Sequence, residues 1–165
     1  MPTLKLRQRL LSLGEDFDVT DTGGRPVYKV DGKLLRIRET FVIEDMEGKE
    51  VATIRQKLIA VRETMRITRG GDTLATIRKA LISPFRDKWM IDVEGGKDLV
   101  AQGNILDHEY EVRRGDETVA TVSKRWFTIR DTYGIEVQEG EDAGLIVAVA
   151  VAIDEMVHDP DGEKD

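Results

Sequence analysis

The two histidines of this chain are the side chains best suited to metal binding or proton transfer near neutral pH. His108 lies between Asp107 and Glu109, an order that suggests a metal site or an acid–base pair. On a strand, those carboxylates would lie on the face opposite the imidazole, because successive side chains alternate between faces. His158 has no obvious second ligand beside it. We therefore predict that His108 is structural and satisfied by local hydrogen bonds.

A calcium loop is the second candidate for chemistry. Residues 131–142 have the length of an EF-hand loop and begin and end with aspartate. Such a loop needs oxygen ligands at its third and fifth positions and glycine at its sixth. Those positions hold Tyr133, Ile135 and Glu136. The sequence therefore predicts no metal and no cofactor.

Nucleophilic catalysis finds little support in the sequence. The chain has no cysteine, and it contains no nucleophile elbow, phosphate-binding loop or dinucleotide fingerprint. No serine, threonine or lysine has a visible base at useful spacing. We predict that the protein is not an enzyme, and an uncharacterised enzyme that uses surface carboxylates remains an alternative.

Basic residues recur where the second strand of several predicted hairpins ends. They are Arg55, Lys57, Arg78, Lys79, Lys124 and Arg125. Equivalent positions in a barrel lie near one rim, where a group of cations would hold lipid phosphates. The alternative is that they are solvated strand ends that discourage edge-to-edge pairing.

The elements that carry these residues form an internal repeat. Large residues head similar segments about every 24 residues, with one spacing of 21. These heads are Phe17, Phe41, Met65, Trp89 and Tyr110, with a looser match at Gly134. Each segment alternates polar and apolar residues, turns at glycine and continues as a second alternating run. This pattern is typical of antiparallel hairpins with one buried face.

About six such hairpins would make one large sheet. An open sheet of that size leaves long exposed edges, and closure removes them. The sequence therefore predicts a mainly β fold, a closed antiparallel barrel of about 12 strands. A propeller is disfavoured because its blades need roughly 40 residues each.

The last unit breaks the pattern with an apolar segment. Residues 143–153 carry no polar side chain. Asp142 is a good helix N-cap, and Glu141 suits the positive end of a helix dipole. A helix that is apolar on every side must be buried, and eleven residues rise only about 16 Å, too short for a bilayer. We predict a central helix at about 142–157; a buried strand of β-branched valines is the alternative.

These boundaries give a single domain over residues 1–158 and a disordered polar tail over 159–165. Trp89, Trp126, Phe127 and Tyr133 are predicted to lie in the core against the helix. Charges interrupt the N-terminal leucines, so we expect neither a signal peptide nor a transmembrane segment. The net charge of -7 argues against nucleic acid as a partner, and the absence of cysteine suits the cytoplasm.

Five segments carry a family resemblance. They are QRLLSLGEDF at 8–17, VDGK at 30–33, LDHEY at 106–110, VSKRWF at 122–127 and RDTYG at 130–134, followed by the apolar segment. With them, the chain from about residue 4 to 158 resembles the LURP-one-related branch of the Tubby-like superfamily. The resemblance implies a 12-stranded barrel around a hydrophobic C-terminal helix.

The resemblance implies less about function. Tubby proteins bind phosphoinositides through basic side chains, and phospholipid scramblases are distant relatives, but none of their binding residues can be placed on this sequence. We expect a non-enzymatic, cytoplasmic interaction module that binds anionic phospholipid at the basic rim as a peripheral membrane protein. The main alternative is a protein-binding scaffold with no lipid ligand.

Overall fold

A computed structural model describes residues 3–7, 17–21, 23–34, 39–57, 64–79, 87–104, 108–124 and 132–158. The strands are β1 (Thr3–Arg7), β2 (Phe17–Thr20), β3 (Pro26–Leu34), β4 (Glu39–Asp45), β5 (Glu50–Lys57), β6 (Thr64–Arg69), β7 (Asp72–Lys79), β8 (Asp87–Val93), β9 (Leu99–Asn104), β10 (Glu109–Arg114), β11 (Glu117–Ser123) and β12 (Thr132–Val137). They are followed by helix α1 (Ala143–His158).

Every strand pairs antiparallel with its neighbour in sequence, and β1 pairs with β12 over five residue pairs. The remaining seam joins β1 to β2 through the single pair Lys5 and Thr20. The predicted antiparallel sheet and C-terminal helix are confirmed, whereas a barrel closed by hydrogen bonds along the whole seam is not. The β1–β2 pairing is weaker than the pairing of other neighbouring strands, because it consists of a single residue pair.

The sequence repeat appears in the structure as a repeated hairpin with a bulge. Four hairpins shift register near the end of their first strand, at Val19/Thr20, Ile43/Glu44, Ile67/Thr68 and Val112/Arg113. A bulge adds local twist, which an extended sheet needs in order to curve. The repeat therefore specifies the curvature of the sheet as well as its strands.

The core lies between the inner face of this sheet and α1. Alternate strand residues are buried, for example Phe41 and Ile43 of β4 and Ala52 and Ile54 of β5. In α1, every residue from 146 to 153 is at most 3% exposed, and the helix packs against β5, β6, β7 and β12. The predicted buried helix is confirmed, except that Ala143 and Leu145 at its start are only half-buried.

Two acidic residues hold the start of α1. Asp142 is the N-cap, because its Oδ1 accepts a hydrogen bond from the Leu145 amide at 3.1 Å. Arg69 of β6 contacts both carboxylate oxygens of Asp142, at 3.1 and 3.2 Å. Arg114 of β10 contacts both oxygens of Glu141, at 2.8 and 3.0 Å. Two arginine–carboxylate contacts therefore attach the start of the helix to strands β6 and β10.

Trp89 and Tyr133, predicted as core residues, are 3% and 0% exposed. Trp126, Phe127 and the predicted tail at 159–165 lie outside the described residues. The single-domain boundary at residue 158 stays a prediction.

Gly144 allows the first turn of α1 to approach β5. A Cβ atom at this position would clash with Cγ1 of Val51, so Gly144→Ala forces the first turn of the helix or the Val51 side chain to shift. We expect a loss of about 1–3 kcal/mol in the free energy of unfolding, as for other overpacked cores. Urea denaturation measures it, with Gly96→Ala as the matched control, since a Cβ there meets only Val93 at 3.6 Å. Equal stability of the two variants would contradict this close packing.

The Arg114–Glu141 contact predicts a pH dependence of stability. The hydrogen bond from Arg114 holds the pKa of Glu141 below its ordinary value of 4.5. A carboxyl group whose pKa is lower in the folded than in the unfolded state stabilises the fold at pH values above its unfolded pKa. This stabilisation is lost as the pH falls through the folded pKa. Arg114→Met should therefore cost about 1 kcal/mol at neutral pH, and the difference from the parent should shrink below pH 4.5.

Urea unfolding over a pH series measures this difference, with Lys97→Met at an exposed turn as the control. A deficit in Arg114→Met that stays constant down to low pH would show that the arginine acts through packing alone.

Candidate functional site

Four of the predicted rim residues lie on neighbouring parts of the sheet. Arg55 and Lys57 belong to β5, Arg78 and Lys79 belong to β7, and both strands pair with β6. Lys124 follows β11, which is four strands from β7 in the sheet. Since β5, β7 and β11 run in the same direction, all five residues lie toward the same end of the sheet. The structure thus groups four residues and separates Lys124, and Arg125 lies outside the described residues.

β6 contributes a further cation that the sequence pattern did not reveal. Arg66 is the direct cross-strand partner of Arg55. Ile54, Met65 and Ile67 beside them are buried, so the two arginines lie on the outer face. Arg55 is exposed and Arg66 half-buried.

Neither Arg55 nor Arg66 makes a hydrogen bond or ion pair with another described residue, and Nε of Arg66 is buried without a hydrogen-bond partner. Like charges directly opposite each other on a sheet are destabilising. The two arginines therefore form a cationic pair whose charge the described part of the fold leaves uncompensated.

Threonines surround this pair. Thr76 of β7 lies opposite Arg66. Thr53 and Thr68 lie opposite each other, two residues along β5 and β6 from the arginine pair and on the same outer face. Thr53 donates its hydroxyl to Glu50, whereas Thr68 and Thr76 are half-buried on the outer face. We call the set Arg55, Arg66, Thr68, Thr76 and Arg78 the cationic face.

Arg78 at the border of the cationic face differs from the central pair. Its guanidinium lies 3.4 Å from Asp92 of β8, with side chains 37% and 43% exposed. Ion pairs this exposed contribute little to stability, but Asp92 still offsets part of the charge. For Lys57 and Lys79 only the backbone is described, at the last positions of β5 and β7.

His108 lies in a second polar site, which is buried. Its Nε2 is 2.9 Å from Oδ1 of Asp154 in α1, and the two side chains are 5% and 1% exposed. The ring stacks on Tyr133 of β12, with centroids 4.2 Å apart. His108 also has a φ of 55°, a conformation that is costly for a residue other than glycine.

The prediction of local hydrogen bonds for His108 is wrong, because Asp154 is 46 residues away in sequence. His108 precedes β10 in a turn, so the alternation argument for a strand does not apply to it. Its neighbour Glu109 instead accepts hydrogen bonds from the Ser123 hydroxyl at 2.8 Å and the Lys124 amide at 3.1 Å.

Two tyrosines complete the buried cluster. Burial raises the pKa of Tyr110 and of Tyr133, and the nearby Asp154 carboxylate raises both further. Nδ1 of His108 and the hydroxyl of Tyr133 are buried without a hydrogen-bond partner in the described part of the chain. The cluster is closed to solvent, so we interpret it as a contact that positions α1 and not as a reaction site.

A shallow groove of about 430 Å³ lies on the outer face of β9–β11, lined by Gln102, Glu111, Arg113 and Thr121 among others. Arg113 contacts Glu111 at 3.0 Å, so the main charges of the groove compensate each other. Within the described ranges, no group of three potential ligands could hold a metal ion. The helix that these ranges contain is not both long and apolar enough to cross a membrane.

The His108–Asp154 contact predicts energetic coupling between the sheet and the helix. Removing one partner of a buried hydrogen bond costs about 1–3 kcal/mol. His108→Ala and Asp154→Ala should each cost this much, and the double variant should cost clearly less than their sum. Urea unfolding of the four proteins gives the coupling energy. Glu111→Ala, at a contact whose glutamate is 48% exposed, should change stability little, and strictly additive losses at His108 and Asp154 would rule out the contact.

Comparison with known proteins places this fold. A crystal structure of an Arabidopsis thaliana protein superposes with a TM-score of 0.70 at 17% identity, over 94% of this chain and 91% of that one. The uncharacterized protein YxjI of Bacillus subtilis is 24% identical over 162 residues, which cover 98% of this chain and 83% of YxjI. The model of one family, LURP-one-related, matches residues 2–154. With nearly its whole length matched, the chain belongs to the LURP-one-related family.

Proposed function

We propose that this protein is a non-enzymatic interaction module that binds anionic phospholipid through its cationic face. The observation that carries the proposal is the cross-strand pair Arg55 and Arg66, whose like charges no other described residue offsets. An anion placed between the two guanidiniums would remove their repulsion. Membership of the family and the shared fold agree with a binding module.

Electrostatics sets the conditions for such binding. Each cation near an anionic membrane contributes about 1 kcal/mol, and the attraction fades within a Debye length. The net charge of -7 opposes approach to the membrane, so only a segregated patch can succeed. Arg55 and Arg66, with Arg78 beside them, supply such a patch on adjacent strands.

The other predicted rim residues extend this proposal to different degrees. Lys57 and Lys79, at the ends of β5 and β7, would add charge beside the central pair. Lys124 and Arg125 follow β11 and would reach the same membrane only if it met the whole end of the sheet. We therefore assign them a secondary role.

The proposal includes a fold and a location. The sheet would close into a barrel at the β1–β2 seam and keep α1 inside, while the outer face meets the lipid. The protein would act as a peripheral membrane protein in the cytoplasm.

Co-sedimentation with vesicles tests the proposal. Wild-type protein should bind vesicles of phosphatidylcholine mixed with phosphatidylserine, and should release as salt is added. Arg55→Glu/Arg66→Glu should bind more than about tenfold more weakly, because two attractive charges become repulsive.

Lys49→Glu/Lys97→Glu is the matched control. It makes the same change in net charge, but at the exposed turns between β4 and β5 and between β8 and β9. The proposal requires the control to bind more tightly than the arginine double variant, with both variants folded by circular dichroism. Equal loss in the two would show that net charge alone governs binding. No binding by the wild type would favour the protein-binding scaffold.

A further inference from the structure

We infer that Arg55 and Arg66 form a stoichiometric site for one phosphate monoester group. This inference rests on the proposed function, but goes further: diffuse attraction to a charged surface needs only cations, whereas a phosphate site needs two guanidiniums in fixed relation. The ligand class is thus a terminal phosphate, carried by a lipid headgroup or by a soluble molecule.

The register of the strands supplies the geometry. Residues directly opposite each other in an antiparallel pair have Cβ atoms about 4.5–5.5 Å apart, and Arg55 and Arg66 hold this relation. Each guanidinium is a planar fork that binds two phosphate oxygens at once. A monoester carries a charge of about -1.5 to -2 near neutral pH, which matches two guanidiniums, whereas a phosphodiester carries a single charge.

Burial distinguishes Arg66 from an ordinary surface arginine. Its side chain is half-buried, and its Nε is buried without a hydrogen-bond partner. A buried donor left unsatisfied is costly, so an acceptor oxygen from a ligand would be stabilising at this point. A half-buried stem also restricts the side chain, which lowers the entropy lost when a ligand binds.

The groups beside Arg66 leave it available for the anion of a ligand. Thr76 lies opposite Arg66 and offers a hydroxyl donor on the same outer face. Asp92 lies opposite Thr76, about 9–10 Å from Arg66 across two strand spacings. Asp92 contacts Arg78 instead. The nearest described carboxylate in this row is therefore turned to another partner.

Substitution by lysine separates a phosphate site from diffuse attraction. Arg55→Lys/Arg66→Lys keeps both charges but removes the planar forks. Wild type should bind vesicles that contain phosphatidic acid, a monoester, about tenfold more tightly than vesicles with phosphatidylserine at equal surface charge. The lysine variant should bind both vesicles alike, near the wild-type affinity for phosphatidylserine. Arg25→Lys, at an exposed turn, should keep the wild-type preference.

Calorimetry with soluble glycerol phosphate identifies the source of the phosphate. One-to-one binding that the lysine variant loses supports the site, and if wild type then binds no vesicle, the natural ligand is soluble and the membrane proposal fails. A wild type that binds vesicles without preference for phosphatidic acid, a lysine variant that retains the preference, or a wild type that binds neither vesicles nor glycerol phosphate would overturn the phosphate site. Loss of vesicle binding in Arg55→Glu/Arg66→Glu would still stand in that case, so the two proposals fail separately.

Discussion

The burial of one apolar helix constrains the rest of this structure. From residue 146 to 153, α1 is apolar on all sides and nearly inaccessible to water. Exposing such a helix would cost about 1.5–3 kcal/mol for each large side chain, so the sheet must curve around it. The alternating strands and their repeated bulges supply that curvature. Since α1 packs against the inner face of the curved sheet, a ligand would have to bind on the outer face or at the ends of the sheet.

Apolar packing buries the helix without fixing its position. A helix of valine, alanine and isoleucine presents similar surfaces after a rotation or a small slide, so polar contacts must select one arrangement. Asp142 contacts Arg69 at one end, and Asp154 contacts His108 near the other. The two aspartates are 12 residues apart, about 18 Å along the axis. Two directional contacts at this separation define both the depth and the rotation of the helix.

Local patterns in the sequence predicted the strands, the turns, the N-cap and the buried helix, because each depends on residues close together in the chain. Contacts between distant residues were not accessible in this way. His108 finds Asp154 only after the helix enters the sheet, and no spacing in the sequence marks that pair. Arg66 was missed because its role depends on the register between β5 and β6, and no pattern in the sequence fixes that register. The hairpin turn at Gly70 and Gly71 alone would have placed Arg66 opposite Ala75, and the bulge at Ile67/Thr68 moves it opposite Thr76; neither feature indicates its pairing with Arg55.

Four arginines of this sheet illustrate two different physical roles. Arg69 and Arg114 each contact a carboxylate at the start of the helix, so their charges are used within the fold. Arg55 and Arg66 face each other across two strands and lower the stability of the sheet that carries them. A residue whose charge no described residue offsets can still lower the free energy of a complex, because a bound anion turns the repulsion into attraction to a shared partner. The uncompensated pair is therefore better explained by binding than by folding, and it lies on the surface that the buried helix leaves available.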